Sequence, residues 1–531
     1  MKTTIKTLHN KIFIFLLIAW LCAASAMQFK VLAQVEPATP SDGSAVSLGT
    51  VTQQQKLLAN DGAVSDAFGW SVSASGNLMV IGSPLADVNG KTNQGAAYVY
   101  AKTNGVWTLQ TKLTADEGSA NAQFGFTVAI DGDTIVIGAR TTAPSNKGAA
   151  YVFVRSNAAW IQQAKLLGTD TVNHDRFGEA VAINGNTIIV GAVLHDPSGT
   201  PDTNKGAAYV FIRENATWTQ QAKLTASTPQ DYAFFGSSVA IDANTILIGA
   251  PESSRDIRVG AAYVFTRTGT VWTEQAKLMA DDSTYQDDFG FSLSVSGDTA
   301  VVGALGSMVA GTSFAGAAYI FTRSNDDWAQ QAKLTADAAD IGANNNFGWA
   351  VSLKNDALAI GAYSTRVDGK LQQGTAYLFK RNGALWEPQA RLTANDGLAL
   401  DYFGSSVALN NDEMLIGTPQ KSPSGANTQQ PGAVYVFALT PADSQTPQIQ
   451  SVQVKGKKLL VTGVNFESPT EIYVNGERQK KTANDIDNPT TLVIAAKSGR
   501  WIAPGQTVMI QVKNTASGKV SSEIMYTRPL E

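Results

Sequence analysis

The chain of 531 residues holds one cysteine, Cys22, and it lies within the first 33 residues. Beyond that segment there is no thiol, which excludes disulfides, thiol catalysis and a cysteine-ligated metal. Histidine is nearly as scarce. After residue 33 only His174 and His195 occur. Both fall in polar loops between apolar runs, where a solvated side chain is the ordinary expectation. No nucleophile elbow, phosphate-cradling glycine loop or paired-histidine motif is present. Charge is thin, at 16% of residues, and basic excess is missing. After residue 34, 36 basic residues stand against 44 acidic ones. From 448 onward the balance is eleven basic to seven acidic, so the preceding part carries −12. Phosphate recognition needs a basic face, so nucleic acid is not an expected partner of that acidic part.

Long apolar runs are also few. Ile12 to Ala24 is one, preceded by Lys2, Lys6 and Lys11. It is short for a membrane span and has the layout of a secretory signal. Ala24-Ser25-Ala26 and Val31-Leu32-Ala33 both offer cleavage sites, so residues 1–33 read as a leader with cleavage after 26 or 33. Export to the outside or the cell surface is expected, with no transmembrane segment in the mature chain. Residues 34–50 and 440–447 are rich in Pro, Ser, Gly and Thr and read as linkers.

What the chain does have is repetition. Phe-Gly recurs at Phe68, Phe124, Phe177, Phe235, Phe289, Phe347 and Phe403, at intervals of 56, 53, 58, 54, 58 and 56 residues. A constant period means one supersecondary unit copied many times, each burying its apolar face on the next. In the copy from Phe124, FGFTVAI leads through Asp131-Gly132-Asp133 to TIVIGA. An Asp-Gly pair between apolar runs is a hairpin signal. GAAYVFVR from Gly148 gives a third strand, and Trp160 opens a fourth. Four antiparallel strands per period predict a propeller blade.

The other copies agree. Third strands begin at Gly95, Gly148, Gly206, Gly260, Gly316, Gly374 and Gly432, in the form GAAYVF or close to it. These residues resemble the FG-GAP repeat, the propeller repeat of integrin α chains and of many bacterial surface proteins. The resemblance covers about residues 51 to 438. The segment 448–528 resembles the IPT/TIG immunoglobulin-like domain at Thr462-Gly463-Val464-Asn465-Phe466, Val474-Asn475-Gly476 and Val512-Lys513-Asn514. The expected fold is all-β: a seven-bladed β-propeller over 51–439, followed by a small immunoglobulin-like β-sandwich. A monomeric ring is expected.

Six copies carry a fourth strand opened by Trp107, Trp160, Trp218, Trp272, Trp328 or Trp386, but the seventh stops at Leu439. The orphan segment QQQKLLAND, Gln53 to Asp61, is the expected replacement. It would join both ends of the propeller in one sheet.

The FG-GAP resemblance implies calcium loops between first and second strands. Here those connections are hairpin turns too short to encircle an ion. No catalytic or cofactor-binding residue is assigned, and no cofactor is expected. The acidic residues gather instead before each Phe-Gly. Asp and Asn ordinarily end strands and form turns. The densest group, Asp281, Asp282, Asp287 and Asp288, is the remaining candidate for a calcium site. The Phe, Tyr and Trp that recur in nearly every copy are expected to pack between blades.

In an up-and-down blade, the second-to-third and inter-blade connections share one face. Those connections are long and differ between copies, which is how a constant framework presents recognition loops. Loops 193–205 and 421–431 are the expected contacts. The function read from these features is binding or adhesion, not catalysis, with an extracellular protein as ligand. A carbohydrate-binding or polysaccharide-associated accessory role is the alternative, with a glycan as ligand. A hydrolase comes third. Paired carboxylates could cleave glycosidic bonds, but no pair stands out.

Overall fold

The computed structural model describes residues 51–529, apart from 143–145, 158, 197–202, 253–258, 339, 411, 421–430, 440–446, 487, 489–490, 516–517 and 522–523. The expected leader, the first linker, most of the second, residues 197–202 of one favoured recognition loop and all of the other but its last residue lie outside the described residues.

Seven four-stranded antiparallel sheets come first along the chain. In the first sheet the strands are Val72–Ser75, Leu78–Ser83, Ala96–Thr103 and Val106–Leu113, each paired with the next. Tight turns join the first pair and the last pair, with Gly76 and Asn104 at positive φ. The second strand is buried along its whole length, because it is covered on both faces by neighbouring sheets. The third buries its first five residues, and the fourth alternates between exposed and covered positions. The same gradient repeats in the following sheets.

The seven innermost strands are Val72–Ser75, Phe124–Asp131, Phe177–Asn184, Val239–Asp242, Phe289–Ser296, Ala350–Lys354 and Ser406–Asn410. Each touches the innermost strand of both neighbours, and the last touches the first. This is the arrangement of a seven-bladed propeller around a central channel. Its seventh sheet is completed by Gln53–Leu57, which pairs with Ala433–Ala438 in the register Lys56↔Tyr435 and Leu57↔Val434. The orphan segment therefore supplies the missing fourth strand. Closing a sheet with strands from both chain ends covers the edge of Ala433–Ala438 and ties the two ends of the ring together.

The recurrent residues explain themselves at the seams. Phe124 donates its N–H to Gln94 O of the preceding blade at 2.9 Å. Its ring is fully buried, with Tyr151 and Phe153 at 5.4 and 6.0 Å between centroids. The surrounding apolar cluster draws Val80 and Val99 from one blade and Ile135 and Ile137 from the next. Gly125 sits at φ +89°, where a Cβ would lie 2.3 Å from Ala96 O. Gly82 is equally constrained, since its Cβ would lie 2.0 Å from Gly125 O. Phe fills the gap and Gly lets the two backbones meet. Farther out, the fourth-strand tryptophans reach back to the preceding blade: Trp218 Nε1 donates to Gln163, Trp272 to Gln221 and Trp328 to Gln275, at 2.9 to 3.0 Å.

After the ring come two more four-stranded sheets. One holds Gln448–Lys455, Lys458–Val464, Leu492–Ala495 and Thr482–Asn484; the other holds Glu477–Arg478, Thr470–Val474, Thr507–Asn514 and Ile524–Thr527. Leu459, Val461 and Val493 from the first meet Ile472, Val508, Ile510 and Val512 from the second in one core. No helix among the described residues is long and apolar enough to cross a membrane.

Candidate functional site at the channel mouth

The acidic residues before Phe-Gly already have partners. Asp282 accepts from Tyr319 Oη at 2.9 Å and pairs with Lys333 Nζ at 2.6 Å. Asp61 does the same with Tyr98 and Lys112, Asp170 with Tyr209 and Lys223, Asp396 with Tyr435 and Lys56, and Asp340 with Tyr377 and Arg391. The tyrosine comes from the third strand of a blade, and the cation from the fourth. Burial pulls the Asp282 carboxyl upward, but Lys333 and Tyr319 outweigh it and leave it below its usual value. Burial pushes Tyr319 up to about 12, so its hydroxyl stays a donor. A second acid has another task. Asp287 accepts from the Thr284 N–H at 2.6 Å and from its hydroxyl at 2.7 Å. Asp66, Asp175 and Asp401 cap the chain in the same way. Asp281 offers its backbone N–H to Gln330, and Asp288 takes φ 52°. Among the described residues, no group of three or more His, Cys, Asp or Glu side chains is placed to hold a metal ion.

One histidine departs from expectation. His174 is exposed, but His195 is only 3% exposed. Its Nδ1 lies 2.8 Å from Asp175 and its Nε2 2.7 Å from Lys223 Nζ. With a neutral ring, Nδ1–H donates to the carboxylate and Nε2 accepts from the ammonium. His195 is turned back against its own blade, which hydropathy alone does not reveal.

The most distinctive surface lies where the innermost strands begin. A cavity of about 650 Å³ opens there, lined by the residues just after each Phe-Gly and by second-to-third loop residues such as Tyr363 and Pro419. Its wall carries two aromatic runs. Trp70 and Phe126 lie 5.5 Å apart, and the Arg140 guanidinium stacks on Phe126 at 3.8 Å. Opposite in sequence, Phe291, Trp349, Tyr363 and Tyr402 follow one another at 4.7, 4.2 and 5.6 Å. Trp349 Nε1 donates to Ser405 O at 3.0 Å, which fixes the ring at the centre of its run.

Between the runs stands one carboxylate. Glu179 meets Arg140 Nη1 through Oε1 at 3.2 Å. Its other oxygen, Oε2, is buried and has no hydrogen-bond partner. Arg140 is itself held by Gln123 Oε1 at 2.6 Å. Burial pushes the Glu179 carboxyl up, against the opposing pull of Arg140 and Arg176. An aromatic wall with a half-satisfied carboxylate can accept a cation or a hydrogen-bond donor.

Sequence reasoning pointed to the long loops of this face and passed over the position after Phe-Gly, because it lies inside the repeated motif. The position after Phe-Gly reads Trp70, Phe126, Glu179, Ser237, Phe291, Trp349 and Ser405. That variation, inside an otherwise constant motif, is the signal.

The model of the FG-GAP repeat matches residues 51–100, 107–153, 160–211, 218–265, 272–321, 328–379 and 386–437. The chain belongs to the FG-GAP repeat family. No curated protein matches it. The FG-GAP unit is out of phase with the blade. Six of the matched repeats begin at the tryptophan of one sheet's fourth strand and end in the third strand of the next. The first begins at Val51, just before the strand that closes the ring, so closure is a consequence of where the FG-GAP unit starts. FG-GAP propellers are in general a non-enzymatic fold and fit a role in ligand binding.

Proposed function

We propose that this FG-GAP protein is exported, to the medium or the cell surface, and binds a protein ligand at the mouth of its propeller channel, where it receives a cationic side chain. The carrying observation is the buried, unpartnered Oε2 of Glu179 beside the aromatic runs. An ammonium or guanidinium placed there would gain aromatic faces and a carboxylate together. The net charge of −12 on residues 35–447 favours encounter with such a partner. Residues 448–528, in this reading, form an immunoglobulin-like module serving as spacer or second binding unit. Binding or adhesion, and not catalysis, is the role.

A glycan is the second reading, favoured by the exposed ring of Trp70, which offers a flat face for sugar stacking. The test is to probe the mature protein on an array of peptides with and without single Arg or Lys residues, beside a glycan array. Selective capture of the cationic peptides supports the proposal. Capture of neutral glycans with no cationic preference overturns it in favour of the second reading.

A further inference from the structure

The C-terminal module carries a groove of opposite character. It has a volume of about 730 Å³, and Lys480, Lys481, Lys497, Arg500 and Trp501 stand along it. All five side chains are exposed, Trp501 to 69%. Arg478 also lines it and is paired with Glu471 at 2.5 Å. Among the described residues, no carboxylate pairs with Lys480, Lys481, Lys497 or Arg500. The wall that bears Arg500 and Trp501 is tied into the module by hydrogen bonds. Ser498–Trp501 forms a single helical turn, and Arg528 donates from below to Gly499 O at 3.3 Å and Ile502 O at 2.9 Å. Gly499 donates to Lys457 O at 3.2 Å, and a Cβ there would lie 2.6 Å from Lys458 O. Arg500 stacks on Trp501 at 4.4 Å, so the cation and the ring stand together on one edge.

Among the described residues, four exposed cations face one groove against a single unpaired carboxylate there, Glu477, so the groove favours an anion. The module as a whole is basic, eleven cationic to seven acidic residues, in a chain whose remainder is acidic. We propose that this groove binds an anionic polysaccharide. Its uronate, sulfate or phosphate groups would meet the lysines and Arg500, and a sugar face would stack on Trp501. The choice of a glycan over a nucleic acid rests on the export reading, since it is outside the cell that acidic polysaccharides are met. It does not depend on the channel site. The proposed ligands carry opposite charge, so the two ends of the protein would hold unlike partners.

The test uses the full mature protein and polygalacturonate as probe, with neutral dextran and a single-stranded oligodeoxynucleotide of similar length as controls. Binding to polygalacturonate is expected, falling as salt rises and more steeply the more ion contacts are made. K480Q/K481Q/K497Q should weaken it at least tenfold and flatten the salt dependence. W501A should weaken it without flattening that dependence. All four positions are exposed, and an unchanged melting curve checks that the fold is intact. Equal or tighter binding of the oligonucleotide overturns the glycan assignment. So does polygalacturonate binding that is absent from wild type or indifferent to the triple substitution. Salt-sensitive self-association lost in the triple variant would assign the groove instead to the acidic ring of a second copy.

Discussion

Glu179 is where stability and function pull apart. Its carboxyl is raised above the ordinary value by burial, so the folded state holds a proton that the unfolded chain has released. Stability therefore falls as pH rises from the ordinary glutamate value through the raised one. Glu179→Gln removes the ionisation and should raise the melting temperature at pH 7, with the gain shrinking as the pH is lowered toward 4. Differential scanning calorimetry at the two pH values checks this. Asp282 behaves with the opposite sign. Its carboxyl is lowered, so its contribution is present above the ordinary aspartate value and lost as pH falls through the lowered one. It is half exposed, so solvent screening limits the effect of Asp282→Asn to under about 1 kcal/mol in urea unfolding. At this scale the sequence was only half legible. The acids before Phe-Gly were visible, but that Lys333 and Tyr319 would engage one of them depends on how the fourth strand folds back beside the third. His195 was misjudged for the same reason.

The elements were far easier to read. Apolar runs and short turns such as Asp131-Gly132 announced the strands, because each blade uses local hairpins whose signals are local. The glycine that follows each Phe is equally plain in the sequence. What the sequence could not supply was the partner: Gly125 meets Ala96 of another blade, and Gly82 meets Gly125. Gly125→Ala would force a side chain into a left-handed conformation and against a carbonyl oxygen. A loss of at least about 2 kcal/mol is expected in chemical denaturation. Gly132→Ala, in a turn with open space around it, should cost clearly less. Equal losses at the two positions would mean that backbone conformation, and not blade contact, sets the requirement.

For the whole molecule, closure and charge are the two organising facts. The ring depends on Gln53–Leu57, whose strand completes the seventh sheet. Deleting residues 51–60 should lower the melting temperature of the entire propeller in one transition, since an opened sheet edge weakens every blade–blade contact in turn. An unchanged melt would mean that the ring holds without its clasp. The channel mouth was hidden from the sequence because its wall is assembled from seven blades, one variable residue from each. The measurement that tests it most directly is the affinity of the strongest cationic peptide from the array, titrated by calorimetry against wild type, Glu179→Gln, Trp349→Ala, and a variant with the Asp131-Gly132 and Asn184-Gly185 turns replaced by other hairpin-compatible pairs. The expected result is binding weakened at least tenfold by each channel substitution, with Glu179→Gln no less stable than wild type, and unaltered by the new turns. Affinity kept in both channel variants and lost with the turns would contradict it.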